Sequence, residues 1–168
     1  MNTARLGNFN ASFIATKLMR ALQRQTETTS LDFVGVQTGI GSLEYRANAN
    51  LNWNRQRWSA GWNMTYYGPY HVNGPPWSVQ TAWALAMGDS PWIPSQTYHD
   101  VFAGYTVPTS AGMAGRLGWM NGTQIQMGIK NVFNEPPAFD ASTAMSGMYV
   151  GTFGSLRMRS YWVSLKKS

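Results

Sequence analysis

Hydropathy that alternates with a period of two over long stretches, a scarcity of charge beside plentiful Trp, Tyr, Asn and Gly, and connections of alternating length all point one way. They predict an all-β chain: an antiparallel meander of about six long transmembrane strands, forming a curved segment of a larger outer-membrane β-barrel.

The composition sets the frame. Of the 168 residues, 43% are hydrophobic and only 12% charged, about half the charged share of an ordinary soluble domain. Mean hydropathy is nonetheless negative, so the apolar residues must be diluted by neutral polar ones, as in strands with one face in lipid and the other in a wet lumen. A transmembrane helix needs roughly 18 consecutive apolar residues; the longest candidate, Ala82 to Met87, is far shorter. The first seven residues, Met1 to Gly7, lack the apolar core of a secretory leader. With no cysteine there is neither a disulfide nor a thiolate metal site. The net charge of +6 is scattered along the chain, so no nucleic-acid partner is expected.

The strands follow in order. Phe9, Ala11, Phe13 and Ala15 alternate with Asn8, Asn10, Ser12 and Ile14. The clearest pattern lies between Leu43 and Tyr67, where Tyr45, Ala47, Ala49, Leu51 and Trp53 alternate with Arg46, Asn48, Asn50 and Asn52. After the polar Asn54 to Arg57, Trp58, Ala60, Trp62, Met64 and Tyr66 alternate with Ser59, Gly61, Asn63 and Thr65, which makes a long hairpin. Val101, Ala103, Tyr105 and Val107 then alternate with Asp100, Phe102 and Gly104, and Ile125, Met127 and Ile129 with Gln124, Gln126 and Lys130. Tyr161, Val163 and Leu165 against Trp162, Ser164 and Lys166 close the series. On this reading Arg46, Asn48, Asn50, Asn52, Asn63 and Thr65 line the lumen.

The connections Arg20 to Ser42, Gly68 to Gln96 and Asn134 to Leu156 are long, whereas Asn54 to Arg57 is tight and Pro108 to Asn121 intermediate. With the C-terminus in the periplasm, every long connection falls outside the cell, the asymmetry of outer-membrane barrels. A spanning sheet must close to pair its backbone groups, and the smallest single-chain barrels have about eight strands. Residues 1–168 are therefore expected to be a single partial domain, the C-terminal portion of a barrel, with its N-terminal strands elsewhere and outer-membrane lipid as a partner.

The stretch Gly128-Ile129-Lys130-Asn131-Val132-Phe133-Asn134-Glu135-Pro136-Pro137 resembles the end of the penultimate strand of TonB-dependent receptors, with Val132 at a commonly Leu position. Arg157 to Lys167 resembles their terminal strand, in which Tyr161, Val163 and Leu165 would carry the assembly signal. The resemblance covers nearly the whole chain, but only these two segments are specific. It implies a bacterial outer-membrane location and active uptake of a siderophore, cobalamin or carbohydrate, energised through TonB by way of a plug. Family members generally end on an aromatic residue, and this chain ends Lys167-Ser168. Their plug and TonB-engaging segment precede the barrel and have no counterpart here, so energised transport is expected only of a longer protein.

No catalytic, metal or cofactor chemistry is expected, and the chain does not read as an enzyme. The two histidines, His71 and His99, have no metal-ligand spacing, and His99 and Asp100 are strand neighbours that face opposite ways. Aromatic residues at strand ends, Trp53, Trp58, Tyr66 and Tyr161, suit interfacial girdles. Tyr70, His71, Trp77, Trp83 and Trp92, in the largest connection, are candidates for stacking on a ligand. Two other readings compete: a passive porin-like or small structural barrel, and a soluble sugar-binding β-sandwich with the Trp62 and Met64 face packed inside.

Overall fold

The computed structural model describes residues 6–24, 27, 30–36, 43–72, 79–88, 90–109, 118–139 and 156–167. Six long strands dominate: β1 (Asn8–Lys17), β4 (Tyr45–Arg55), β5 (Trp58–Tyr67), β8 (Gln96–Thr106), β9 (Thr123–Lys130) and β10 (Ser160–Lys167). Between them lie the short strands β2 (Leu22–Arg24), β3 (Ser30–Asp32), β6 (Tyr70–His71) and β7 (Trp92–Ile93), and one helix, α1 (Val79–Gly88). The long strands pair in chain order, β1-β4-β5-β8-β9-β10, and every pairing is antiparallel. The protein is thus all-β, built on an antiparallel six-stranded meander. The sheet is open, with β1 at one edge and β10 at the other.

Asn is a poor strand former, yet β4 carries Asn48, Asn50, Asn52 and Asn54. Cross-strand pairing on both sides holds it extended, to β1 through Ala11↔Leu51 and to β5 through Leu51↔Trp62. The β4–β5 hairpin turns through Gln56 and Arg57 alone, with Gln56 at a φ of 53°. Strict antiparallel order puts the three long connections at one end of the sheet, and the hairpin turn and the β8–β9 connection at the other.

The described parts of the first two long connections are more structured than their Gly, Pro and Ser content suggests. The first holds the β2–β3 hairpin; the second holds α1 and the β6–β7 pair. A parallel bridge between Val36 and His71 ties the two together. Leu43, Tyr70, Val72, Ala84 and Ile93 form a buried cluster there, with Tyr67 and Ala138 packed against it. Burial therefore concentrates at the loop end of the sheet. Ala82 to Met87, read above only as too short to span a membrane, lies within α1; no described helix is long and apolar enough to cross one. β8 begins at Gln96, inside the stretch assigned to the second connection, because residues 96–100 continue the ladder with β5 up to Tyr67↔Gln96.

Candidate functional site

Successive strand residues face opposite ways, so the register sorts the sheet into two surfaces. On one, Asn50 pairs with Ser12 and Asn63, and Asn63 with Asp100; the next row runs Asn10, Asn52, Gly61, Phe102, Gly128, Trp162. Asn48 with Thr65, and Arg46 with Tyr67, extend the same surface toward the loops. All six residues assigned to the lumen, Arg46, Asn48, Asn50, Asn52, Asn63 and Thr65, share this one polar face. Side-chain hydrogen bonds run across it: Thr65 Oγ1 donates to Asn48 Oδ1 at 3.2 Å, and Asn50 Nδ2 to Ser12 Oγ at 3.4 Å.

The opposite face is a continuous apolar belt. Ala11, Leu51, Trp62, Val101, Ile129 and Tyr161 form one row; Phe9, Trp53, Ala60, Ala103, Met127 and Val163 form the next. Phe13 is 68% exposed, Met127 57%, Tyr161 71% and Val163 69%, so no described element covers this belt. Near the turn end Trp58 and Tyr105 tilt together with ring centroids 4.7 Å apart. His99 is a polar residue on this face, opposite Met64. Its Nδ1 accepts the Trp62 indole N–H at 3.1 Å, so each polar group satisfies the other. Asp100, its neighbour, serves the other side and accepts the Asn131 N–H at 2.9 Å.

The segment Asn131 to Pro137 has a specific structural task. Asn131 is buried, at a φ of 54° that stops β9. Its side chain clasps the Glu135 peptide, Nδ2 donating to Glu135 O and Oδ1 accepting the Glu135 N–H, both at 2.8 Å. The Val132 N–H reaches back to His99 O at 2.8 Å, and the Phe133 ring meets His99 edge-on at 5.0 Å. Asn134 Oδ1 accepts the Arg159 N–H at 2.9 Å, which fixes the approach to β10. Pro136 and Pro137 follow without strand pairing. Tyr161, Val163 and Leu165 all lie on the exposed apolar belt of β10.

Of the aromatic loop candidates, Tyr70 is completely buried in the loop-end core, so its ring packs rather than offering a face to a ligand. His71 and Trp92 meet edge-on at 5.3 Å, with Trp92 exposed. Trp77 and the Trp83 side chain lie outside the described residues. Among the described residues no three His, Asp or Glu side chains gather as metal ligands.

Two clefts open along the polar face. One of about 310 Å³ is bordered by Thr65, Tyr67, Tyr98, Asn131 and Arg157; the other, of about 440 Å³, by Asn50, Asn52, Asn63, Phe102 and Trp162, and also by Trp62 and Val101 of the apolar rows. Asp100 and Lys130 border both. Phe102 and Trp162 stand at polar-phase positions, and the sequence alone does not tell what they touch; the register does, by setting Phe102 opposite Gly61 and Trp162 opposite Gly128.

Compared with known proteins, the chain matches no family model, no curated protein and no solved structure at a significant level.

Proposed function

We propose that this chain forms the C-terminal strands of an outer-membrane β-barrel resembling that of TonB-dependent receptors, and that the intact protein takes up small-molecule cargo with energy from the inner membrane. The observation that carries the reading is the meander itself: one apolar face that no described element covers, one polar face, and every long connection at the same end. A strand of ten residues is about 34 Å long. At the tilt of about 40° usual in such barrels it rises about 26 Å, the height of the lipid-facing band. In a sandwich the apolar face would pack on a second sheet about 10 Å away; here large aromatic and aliphatic side chains stand exposed instead. The open edges of β1 and β10 call for further strands to complete the cylinder.

The receptor reading over a passive pore rests on the Asn131 to Pro137 segment and its hold on the last strand. In the intact protein the polar face meets lumen solvent and the plug, and TonB is reached only through that plug. Fractionation of cells producing the complete gene product tests the barrel. The expected result is recovery with the outer membrane, resistance to carbonate extraction, and gel mobility that changes on heating. Recovery in the soluble fraction overturns the barrel, and a complete coding sequence without a plug domain overturns the receptor.

A further inference from the structure

On the polar face one row alternates glycine with aromatic residues: Gly61, Phe102, Gly128, Trp162. A Cβ built on Gly128 would stand 2.5 to 2.6 Å from Cε2, Cζ2 and Nε1 of Trp162, three atoms of one indole at nearly equal range. The indole therefore lies flat over the Gly128 backbone. A Cβ on Gly61 would likewise collide with Cε1 and Cζ of Phe102. Each ring has one side pressed to the sheet. Both nevertheless border the larger cleft, together with Trp62 and Val101, so the outward side of each is a flat apolar surface beside the amides of the polar face. The rings come from strands two apart, about 10 Å at ordinary strand spacing.

Three amides and one charge of each sign stand beside them. Asn50, Asn52 and Asn63 present amides, each able both to donate and to accept hydrogen bonds. Asp100 and Lys130 contribute one charge of each sign, so the groove carries no net charge from this pair, and both also border the adjoining cleft. Flat apolar platforms flanked by paired donors and acceptors match a molecule with apolar ring faces and a rim of hydroxyl groups. An anionic ligand would call for an excess of cations, and a hydrophobic one for fewer amides.

We infer that this groove binds a neutral oligosaccharide, with Phe102 and Trp162 stacking on its pyranose faces and Asn50, Asn52 and Asn63 hydrogen-bonding its hydroxyls. The inference deepens the proposed function by naming a class of cargo, and rests on it for the direction in which the groove faces.

The test uses the complete gene product in detergent micelles, with neutral hexasaccharides of glucose, of xylose and of N-acetylglucosamine as probes. Titration calorimetry should give saturable binding of at least one. Trp162→Ala and Phe102→Ala should each weaken that binding about tenfold, the loss of one aromatic stacking contact, while heat-modifiable gel mobility persists. Should either variant fail to fold, the wild type decides: bound hexasaccharide should protect Trp162 from oxidation by N-bromosuccinimide. No binding by any probe, unchanged affinity in both variants, or a Trp162 oxidised equally with and without sugar overturns the inference. Those results leave the barrel reading intact if the protein still fractionates with the outer membrane; loss of that location defeats the barrel instead.

Discussion

Val163 and Ser164 are neighbours on β10, both exposed, one on each face. In a water-soluble protein an arginine at either exposed position would change stability by no more than about 0.5 kcal/mol. In a bilayer the two must differ. The strands tilt, so depth is set by position along each strand, and Val163 is the fourth of the eight residues of β10, about halfway along it. A charge at the midplane costs about 2 to 4 kcal/mol and falls toward about 0 to 1 at the interfaces. Val163→Arg is therefore expected to cost about 2 to 4 kcal/mol, and Ser164→Arg to stay within about 0.5 kcal/mol of the parent. Guanidinium unfolding of the complete protein in lipid vesicles, followed by tryptophan fluorescence, reads both. Equal stabilities for the two variants, or a larger loss at Ser164, would refute the face assignment.

Trp62→Arg adds a charge at the centre of the belt, costing about 2 to 4 kcal/mol, and also removes the hydrogen bond to His99, worth about 1 kcal/mol; the same unfolding assay should show it as more damaging than Val163→Arg. Asn131→Ala loses both bonds to the Glu135 peptide and puts a Cβ residue without its local hydrogen bonds at positive φ, so a loss of about 2 to 4 kcal/mol is expected, with Asn131→Gly milder because the backbone strain is relieved. Gly61→Ala should destabilise by about 1 to 3 kcal/mol through collision with Phe102, and a double-mutant cycle with Phe102→Ala should recover part of that. Gln56→Gly at the hairpin turn, where φ is 53°, should leave stability unchanged or raise it by up to about 1 kcal/mol, read as the unfolding midpoint.

The long strands were legible because alternation is a local property. Once Tyr45, Ala47, Ala49, Leu51 and Trp53 fall in one phase, period two assigns the remaining residues of β4 without knowledge of its partners. The polar-face set was legible for the same reason. The loop-end structure was not: Tyr70 reads as a surface aromatic until Leu43 from the first connection and Ile93 from the far end of the second join Val72 in burying it. The β6–β7 pair is only two residues long on each side, too short for any period to register. The aromatic platform depends on which glycine faces which ring, a matter of register between strands, and Gly61 and Phe102 are joined only through the fold.

If these strands belong to a barrel, the two faces of the sheet meet different media. These 168 residues contain no cysteine, so with any cysteine elsewhere in the complete protein replaced by serine, single cysteines placed along β4 can carry a fluorophore and be quenched in vesicles from lipid or from water. Labels at 47, 49 and 51 should respond to brominated lipid, and labels at 48, 50 and 52 to aqueous iodide, in strict alternation. Uniform quenching from water along the strand, or alternation in the opposite phase, would contradict the account.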